Sequence, residues 1–296
     1  MNNSNFYFID KPINFSSFDI IRILKKKLGI KKIWHTWTLD PLATGCLLIA
    51  TGSYTRLISY LENDSKEYEF EVTLNWVSDS FDLWEKVDFI STEKQKYYEK
   101  KLNIKDIQNI LLDNFKWKIE QTPPKYSALK INGQRAYKLA KKWEDFKIKS
   151  RKIEIFDIKI LSFKYPKLLL KASVSSGSYI RSIASDLWNI LWTWWYISYL
   201  RRTKIWDLDI SLASKLDNFQ KDNYLDVKTI FPKKIFIELS DDILEKINYW
   251  LGVKYSNDLL ELEYSYKNHI FVINSEDIVT NIVKYDWVYL IPVKNL

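Results

Sequence analysis

The chain has 296 residues, 47% of them hydrophobic and 28% charged, with one cysteine, which excludes a disulfide scaffold, a disordered tail protein and a collagen-like fibre. Its formal charge of +8 is unevenly distributed: residues 125–152 hold ten basic and two acidic residues, whereas residues 237–296 have a net charge of −5. This pattern indicates a polyanionic partner for the larger part or, equally, a solvated lysine-rich surface.

The sequence also predicts a compartment. No apolar run approaches the roughly 18 residues that a membrane-spanning helix needs, and the first residues, MNNSNFYFID, lack the basic and apolar parts of a signal peptide. The lone Cys46 suits a reducing cytosol. We therefore expect a cytoplasmic protein without membrane contact.

The first elements are a strand, a helix and a turn. Phe6–Asp10 predicts a strand, and Ser16-Ser17-Phe18-Asp19 has capping-box spacing before an apolar stripe that stops at Gly29. Asp40-Pro41 predicts a turn. An apolar run follows at Cys46–Ala50, and then a helical stretch at 54–61.

Strands and helices continue to alternate irregularly. Residues 67–74 alternate strictly between apolar and polar, which predicts a half-buried strand. The remaining predictions are a helical region at 93–115, a break at 121–124, strands at 152–162 and 168–175, a helix at 178–191 and a strand at 196–201. After about residue 235 the pattern changes to short aromatic-rich strands with acidic turns. We expect an α+β fold with a main domain at 1–236 and a small, mostly β domain at 237–296.

The most specific motif is the string WHTWTLDPLATG at residues 34–45. It resembles the GHTGTLDPLATG signature of the tRNA pseudouridine synthase B family. The resemblance covers roughly residues 6–210 and continues in order at Asp10-Lys11-Pro12, Ser16-Ser17, Lys66-Glu67-Tyr68, Ser78-Asp79-Ser80, residues 121–130, residues 177–182 and residues 200–203.

The family resemblance implies a fold. It is a mixed, mainly antiparallel sheet flanked by helices, with a basic insertion at about 121–152. Family members from bacteria often end in a small RNA-binding β domain of the pseudouridine-synthase-and-archaeosine-transglycosylase (PUA) type. Residues 237–296 have a suitable size and position, although their net negative charge argues against strong phosphate binding.

The resemblance also implies roles for individual residues. Asp40 matches the catalytic carboxylate, which attacks the target uridine at C6 of the base or at C1′ of the ribose. Arg181 matches its ion-pair partner, and Tyr68 matches the tyrosine that stacks on the target base. The residues expected to bind substrate are His35, which assists in flipping the nucleotide, Arg56 and Lys130, which contact phosphates, and Tyr179.

Each of these residues also has an ordinary structural explanation. An aspartate before proline is usually a turn residue, an apolar-face tyrosine such as Tyr68 is usually part of the core, and an arginine such as Arg181 is usually a surface ion pair. The twelve-residue string reverses this expectation for Asp40. The family resemblance implies the T-arm of tRNA as partner, with no metal or organic cofactor, and no protein partner is indicated.

Glycine and tryptophan are present in unusual numbers. The chain has 6 glycines and 13 tryptophans, whereas an average chain of this length has roughly 21 glycines. Many tryptophans stand where the family has glycine: Trp34, Trp37, Trp84, Trp117, Trp143, Trp188, Trp192, Trp194 and Trp206, with Trp195, Trp250 and Trp287 fitting the same pattern and Trp76 aligning equivocally. Our hypothesis is that UGA codons, decoded as glycine in the source organism, are written here as tryptophan. The alternative is that the indoles are genuine.

Two functions follow from these alternatives. One is an isomerase that converts the T-loop uridine of tRNA to pseudouridine through Asp40. The other is a non-catalytic tRNA-binding or tRNA-folding protein, because genuine indoles at Trp34 and Trp37 would flank His35 and fill the space of a flipped nucleotide. A carbohydrate-binding module with exposed tryptophan platforms ranks last, since it makes no use of the Asp40 string. Asn14 also stands at a family glycine, and asparagine tolerates left-handed backbone.

Overall fold

Two β-sheets organise the chain in the computed structural model, which describes residues 4–61, 65–74, 76–77, 88–89, 91–142, 146–191, 195–255, 269–286 and 288–296. The strands are β1 (Phe6–Lys11), β2 (Ile33–His35), β3 (Thr44–Thr51), β4 (Lys66–Leu74), β5 (Trp76–Val77), β6 (Asp88–Phe89), β7 (Trp117–Gln121), β8 (Lys130–Ile131), β9 (Gln134–Arg135), β10 (Arg151–Lys164), β11 (Lys167–Val174), β12 (Trp195–Ile205), β13 (Leu208–Asp209), β14 (Ser214–Lys215), β15 (Tyr224–Leu225), β16 (Ile235–Glu238), β17 (Val253–Lys254), β18 (His269–Ile273), β19 (Val279–Tyr285) and β20 (Tyr289–Asn295).

Seven α-helices and two 3₁₀ helices are described between these strands. The α-helices are α1 (Ser17–Leu28), α2 (Thr92–Lys101), α3 (Ile104–Asn114), α4 (Ala136–Lys141), α5 (Ile180–Leu191), α6 (Val227–Ile230) and α7 (Asp241–Asn248). The 3₁₀ helices are Gly52–Tyr60 and Ile210–Leu212. Within the described ranges, none of these helices combines the length and apolar character needed to cross a bilayer.

The larger sheet runs in the order β14-β1-β3-β12-β4-β11-β10-β7, with β2, β13 and β15 paired beside this path. The β1–β14 and β3–β12 pairs are parallel, and its other pairs are antiparallel. The smaller sheet runs β16-β18-β19-β20-β17 and has one parallel pair, β16–β18. The expected mixed, mainly antiparallel architecture with a small C-terminal β unit is therefore confirmed, while the domain boundary at 236/237 stays a prediction.

The alternating pattern of β4 builds the main core. Its inward side chains, Tyr68, Phe70, Val72 and Leu74, are buried in one cluster with residues of α3 and α5. Burying one such apolar side chain contributes about 1.5–3 kcal/mol to folding. Helix α5 is therefore fixed against the sheet, and its first turn enters the site described below.

Helix α1 forms as its sequence predicts. The Ser16 side chain accepts a hydrogen bond from the Asp19 backbone NH, the Asp19 carboxylate accepts one from the Ser16 NH, and Gly29 ends the helix with a φ of 68°. Ile20 and Leu24 bury the apolar stripe against a second core. This packing fixes the segment that precedes the helix.

Three elements differ from the sequence predictions. The region at 93–115 contains two helices, because the Asn103 side chain accepts a hydrogen bond from the Asp106 NH and begins α3 there. Residues 54–61 lie mainly in a 3₁₀ helix, and the helix predicted at 178–191 begins at Ile180.

The smaller sheet shares a hydrophobic cluster with the larger one. Phe271 and Ile282 from its strands are buried in one cluster with Phe6 and Tyr54. The Val279 backbone NH also donates a hydrogen bond to the Tyr54 hydroxyl at 3.2 Å. The C-terminal strands are therefore packed directly on the N-terminal part of the fold.

Glycine is required where β3 meets β12. Gly45 pairs with Arg202 in this parallel contact and has a φ of 100°. A Cβ added to Gly45 would overlap the carbonyl oxygen of Arg202. The two strands can therefore approach only because residue 45 has no side chain.

A Gly45→Ala substitution tests this contact. We expect it to lower the free energy of unfolding by about 3 kcal/mol or more, since it combines unfavourable backbone geometry with overpacking. Gly133 is a matched control because it has a φ of 83° and nothing within 4 Å of an added Cβ. Gly133→Ala should lower the free energy of unfolding by about 1 kcal/mol. Equal losses in urea denaturation of the two variants would contradict the close approach at Gly45.

Candidate active site

A pocket of about 290 Å³ opens beside the turn at Asp40. It is lined by residues from the 37–43 loop, β4, the 128–129 segment, the start of α5 and β12. Four of the seven site residues predicted from the sequence meet here, namely Asp40, Tyr68, Tyr179 and Arg181. Side chains that are far apart in sequence thus surround one small space.

An ion pair joins Asp40 to Arg181. The Arg181 Nε and Nη2 atoms each lie 2.9 Å from Oδ2 of Asp40, and Nη2 also donates to the Tyr126 carbonyl at 3.0 Å. The Arg181 side chain is 5% exposed and that of Asp40 is 34% exposed. The carboxylate is therefore paired on its buried side and open towards the pocket, as a nucleophile requires.

The turn that carries Asp40 is anchored on both sides. The buried Lys11 ammonium donates to the carbonyls of Phe15 at 2.6 Å, Pro12 at 3.0 Å and Pro41 at 3.1 Å. On the preceding side, the Leu39 NH donates to the Ser17 hydroxyl at 2.9 Å. These contacts hold the residues directly before and after the carboxylate.

Burial sets the protonation of Lys11. Removal from water lowers its pKa from 10.5 to about 8, although the nearby Asp40 carboxylate opposes the shift. The ammonium is therefore easier to deprotonate than that of an exposed lysine, and it lies beside the turn that carries Asp40.

Two tyrosines line the pocket from different elements. Tyr68 projects from β4 and is 8% exposed. Tyr179 precedes α5, and its backbone NH and carbonyl both bond the buried Gln121 side chain, at 2.8 and 3.1 Å. The Arg151 guanidinium lies 4.8 Å from the Tyr179 ring centroid. Both tyrosines thus line the same pocket, with Tyr68 buried in the sheet and Tyr179 held by Gln121 and Arg151.

The other three predicted substrate-binding residues lie outside the pocket lining. His35 is on β2, half-buried, and its ring is stacked at 5.8 Å on Trp34, while burial lowers its pKa. Arg56 is exposed and donates to the Asn295 carbonyl at 2.8 Å. Lys130 is exposed on β8, directly after the 128–129 segment that lines the pocket. Their roles in RNA binding stay predictions.

The sequence analysis assigned no role to several residues of the site. Lys11, Gln121 and Arg202 are buried and bond backbone groups around the pocket. All three lie in segments that resemble the family. No local signal marks them, because polar residues directly precede all three, and a position in a strand does not by itself reveal a buried partner.

Tryptophan occupies backbone conformations that favour glycine. Seven non-glycine residues in the described ranges have positive φ, and four of them are tryptophan: Trp37 at 42°, Trp117 at 67°, Trp206 at 52° and Trp250 at 64°. Left-handed backbone costs an L-residue with a side chain roughly 1–2 kcal/mol. These angles agree with our hypothesis of glycine at these positions. Asn14 has a φ of 67°, the conformation expected for it.

Two of these indoles contact each other beside the pocket. Trp37 lines the pocket, and its ring meets Trp206 edge-on at 4.8 Å. The Lys66 ammonium lies 4.5 Å from the Trp37 ring centroid. Trp34 is 56% exposed and does not line the pocket. Predictions for Ser78-Asp79-Ser80, Trp84, Trp143, Trp192, Trp194 and Trp287 concern residues outside the described ranges, as does that for the Trp76 side chain.

Both the fold and the sequence of this chain are similar to those of known proteins. The fold resembles a chain of a Cbf5-Nop10-Gar1 complex, with a TM-score of 0.66 and 18% identity over 99% of this chain and 84% of that one. A sequence model described as "TruB family pseudouridylate synthase (N terminal domain)" matches residues 25–180. Fold and sequence therefore define the class as pseudouridine synthases.

Individual relatives show which pseudouridine synthases this chain is similar to in sequence. A tRNA pseudouridine synthase B of Clostridium tetani is 38% identical over 72% of this chain and 71% of its own length. One of Prochlorococcus marinus strain NATL2A is 34% identical over 95% of this chain and 93% of its own length. The chain belongs to the TruB family of pseudouridylate synthases.

Lys11 should make the free energy of unfolding depend on pH. Because its folded-state pKa of about 8 lies below the usual 10.5, the unfolded chain binds more protons between these values. The contribution of Lys11 to the free energy of unfolding should therefore rise with pH through that window. Urea denaturation of the parent and of Lys11→Met at pH 7, 8, 9 and 10 isolates this contribution. A difference between them that stays flat or falls with pH would contradict the lowered pKa.

Exposed tryptophans test whether the fold prefers glycine. Trp117 and Trp250 are 73% and 60% exposed and have positive φ. Replacing each by glycine should raise the free energy of unfolding by about 1 kcal/mol. The control is Trp34, which is also exposed but is not among the residues with positive φ, so glycine in its strand should cost about 0.5–1 kcal/mol. Destabilisation in all three variants would count against glycine as the residue that this backbone requires.

Proposed function

We propose that this protein isomerises the T-loop uridine of tRNA to pseudouridine, with Asp40 as the nucleophile. The observation that carries this proposal is the Asp40–Arg181 ion pair at the mouth of a pocket lined by Tyr68 and Tyr179. The family membership of the chain and the tRNA pseudouridine synthase B relatives support the same reaction and substrate.

The reaction is an internal exchange of one bond. The Asp40 carboxylate attacks C1′ of the ribose or C6 of the base, and the bond from N1 to C1′ breaks. The uracil then rotates, and C5 forms the new bond to C1′. The C5 proton is lost, N1 gains a proton, and Asp40 is released, so that product and substrate have the same composition.

Each neighbour of Asp40 has a defined part in this proposal. Arg181 pairs with the carboxylate at 2.9 Å and orients it towards the pocket. Tyr68 stacks on the target base and is placed to assist removal of the C5 proton. Tyr179 offers a second ring to the flipped nucleotide, and His35 helps the nucleotide to leave the loop.

The basic segment supplies contacts to the tRNA backbone. Lys125, Lys130, Arg135, Lys138 and Lys141 are all exposed and follow or precede the 128–129 residues that line the pocket. Flipping a nucleotide costs a few kcal/mol, which phosphate contacts must offset. Arg56 belongs to the same proposed set, and the site of action that we propose is the cytoplasm.

A second function is favoured by one observation. Trp37 lines the pocket and is buttressed by Trp206 and Lys66. If these indoles are genuine, they reduce the space for a flipped nucleotide, and the protein binds or folds tRNA without turnover. The codons in the gene discriminate between the two functions. UGA codons at these positions support glycine and the enzyme, whereas UGG codons support genuine tryptophan and the binding protein.

Loss of Asp40 should abolish turnover and spare binding. We expect Asp40→Ala to lower the rate of tritium release from tRNA labelled at C5 of uridine by at least about 10⁴-fold. The dissociation constant for tRNA should change less than threefold, because the phosphate contacts lie elsewhere. Asp157→Ala, which removes an exposed carboxylate on β10, should change neither quantity. Turnover that survives Asp40→Ala would refute the mechanism.

The tryptophan pair requires a companion experiment. We expect a Trp37→Gly/Trp206→Gly chain to release tritium at least tenfold faster than the chain with tryptophan at both positions, since the pocket gains space. Its affinity for tRNA should stay within threefold. Equal rates in the two chains would mean that the indoles do not obstruct the site, and no turnover in either would favour the binding protein.

A further inference from the structure

Arg202 is a buried cation at the centre of the site. Its side chain is 1% exposed, and it lies on β12 between Gly45 of β3 and Tyr68 of β4. Within the described ranges no carboxylate pairs with it in a salt bridge. A buried guanidinium needs other partners to offset its lost hydration.

Backbone carbonyls at both ends of the catalytic loop supply those partners. Arg202 Nη2 donates to the Trp37 carbonyl at 2.9 Å, and Nε donates to the Cys46 carbonyl at 2.8 Å. Asp40 lies between these two residues. One planar group therefore joins the point where the chain enters the loop to the point where it leaves.

The same guanidinium reaches the proposed base-stacking tyrosine. Nη1 lies 3.4 Å from the Tyr68 hydroxyl, and the guanidinium carbon lies 6.0 Å from the ring centroid. Three acceptors on three different segments thus share one side chain. Lysine could not replace this arrangement, because its donors radiate from a single nitrogen.

The backbone of Arg202 is in close contact with β3. Gly45 allows β3 to approach so closely that any Cβ would overlap the Arg202 carbonyl. The bond to residue 37 uses a backbone oxygen. It is therefore formed by the same atoms whether residue 37 is tryptophan or glycine.

We propose that Arg202 is a positioning residue for the isomerisation, which sets the distance between the Asp40 carboxylate and the Tyr68 ring by bonding the start of the 37–43 loop and the strand that follows it. It touches neither the reacting carboxylate nor, in this proposal, the substrate. The inference rests on the proposed function, because it assigns how that site is assembled. A displacement of about 1 Å in a reacting group can reduce a rate about 100-fold.

The test separates the rate of the chemical step from tRNA affinity. Two chains serve as possible parents, one with tryptophan and one with glycine at positions 37 and 206. Arg202→Lys and Arg202→Met are made in the chain that isomerises uridine. We expect single-turnover tritium release to fall about 100-fold in Arg202→Lys and at least as far in Arg202→Met. The dissociation constant for tRNA should stay within threefold of the parent.

The control variant removes a less buried cation from the same sheet. Lys171 on β11 pairs with Glu67 at 2.8 Å and does not line the pocket. Lys171→Gln should leave the single-turnover rate and the tRNA dissociation constant within threefold. A large loss of rate in this control would mean that any disturbance of the sheet reproduces the effect, and it would overturn the assignment.

Other outcomes also decide the proposal. A rate within threefold of the parent in folded Arg202→Lys would overturn it. So would a parallel loss of rate and tRNA affinity, or failure of both Arg202 variants to fold, since the role would then be structural. If no parent chain isomerises uridine, the proposed function itself fails, and this inference fails with it.

Discussion

The parallel contact between β3 and β12 is the constraint on which the site depends. Gly45 lets the two backbones approach, and Arg202 then bonds the carbonyls on either side of the loop between them. The Arg202 guanidinium thereby links the start of the loop to β3, which follows it, and Asp40 lies between these two points. Parallel pairing joins segments distant in sequence, and here it brings residues 45 and 202 together.

Buried positive charge surrounds the Asp40 carboxylate. Lys11, Arg181 and Arg202 are buried close to Asp40, but only Arg181 forms a salt bridge with it among the described residues. The other two cations bond backbone carbonyls and thereby orient the loop. Buried positive charge of this kind attracts an anionic ligand, and the exposed basic segment beside the pocket has the same sign.

The tryptophans show how backbone conformation can test the identity of a residue. A side chain can be accommodated on the surface whatever its size, but positive φ penalises any Cβ. Four tryptophans adopt such angles, including one that lines the pocket. This is independent of their match to family glycines, because it concerns dihedral angles rather than sequence similarity. The match to family glycines and these dihedral angles together favour glycine at these positions.

The sequence alone determined the elements with strong local signals and singled out Asp40 as the candidate reactive group. The capping box of α1, the alternation of β4 and the string around Asp40 depend on neighbouring residues, so they could be interpreted without a structure. The periodic pattern did not separate α2 from α3, because it gave no sign that Asn103 caps the start of α3. Only the tertiary structure decided that Lys11, Gln121 and Arg202 support the site. Their partners are backbone groups on other strands and loops, and sheet pairing, which no local pattern encodes, brings those groups within hydrogen-bond distance.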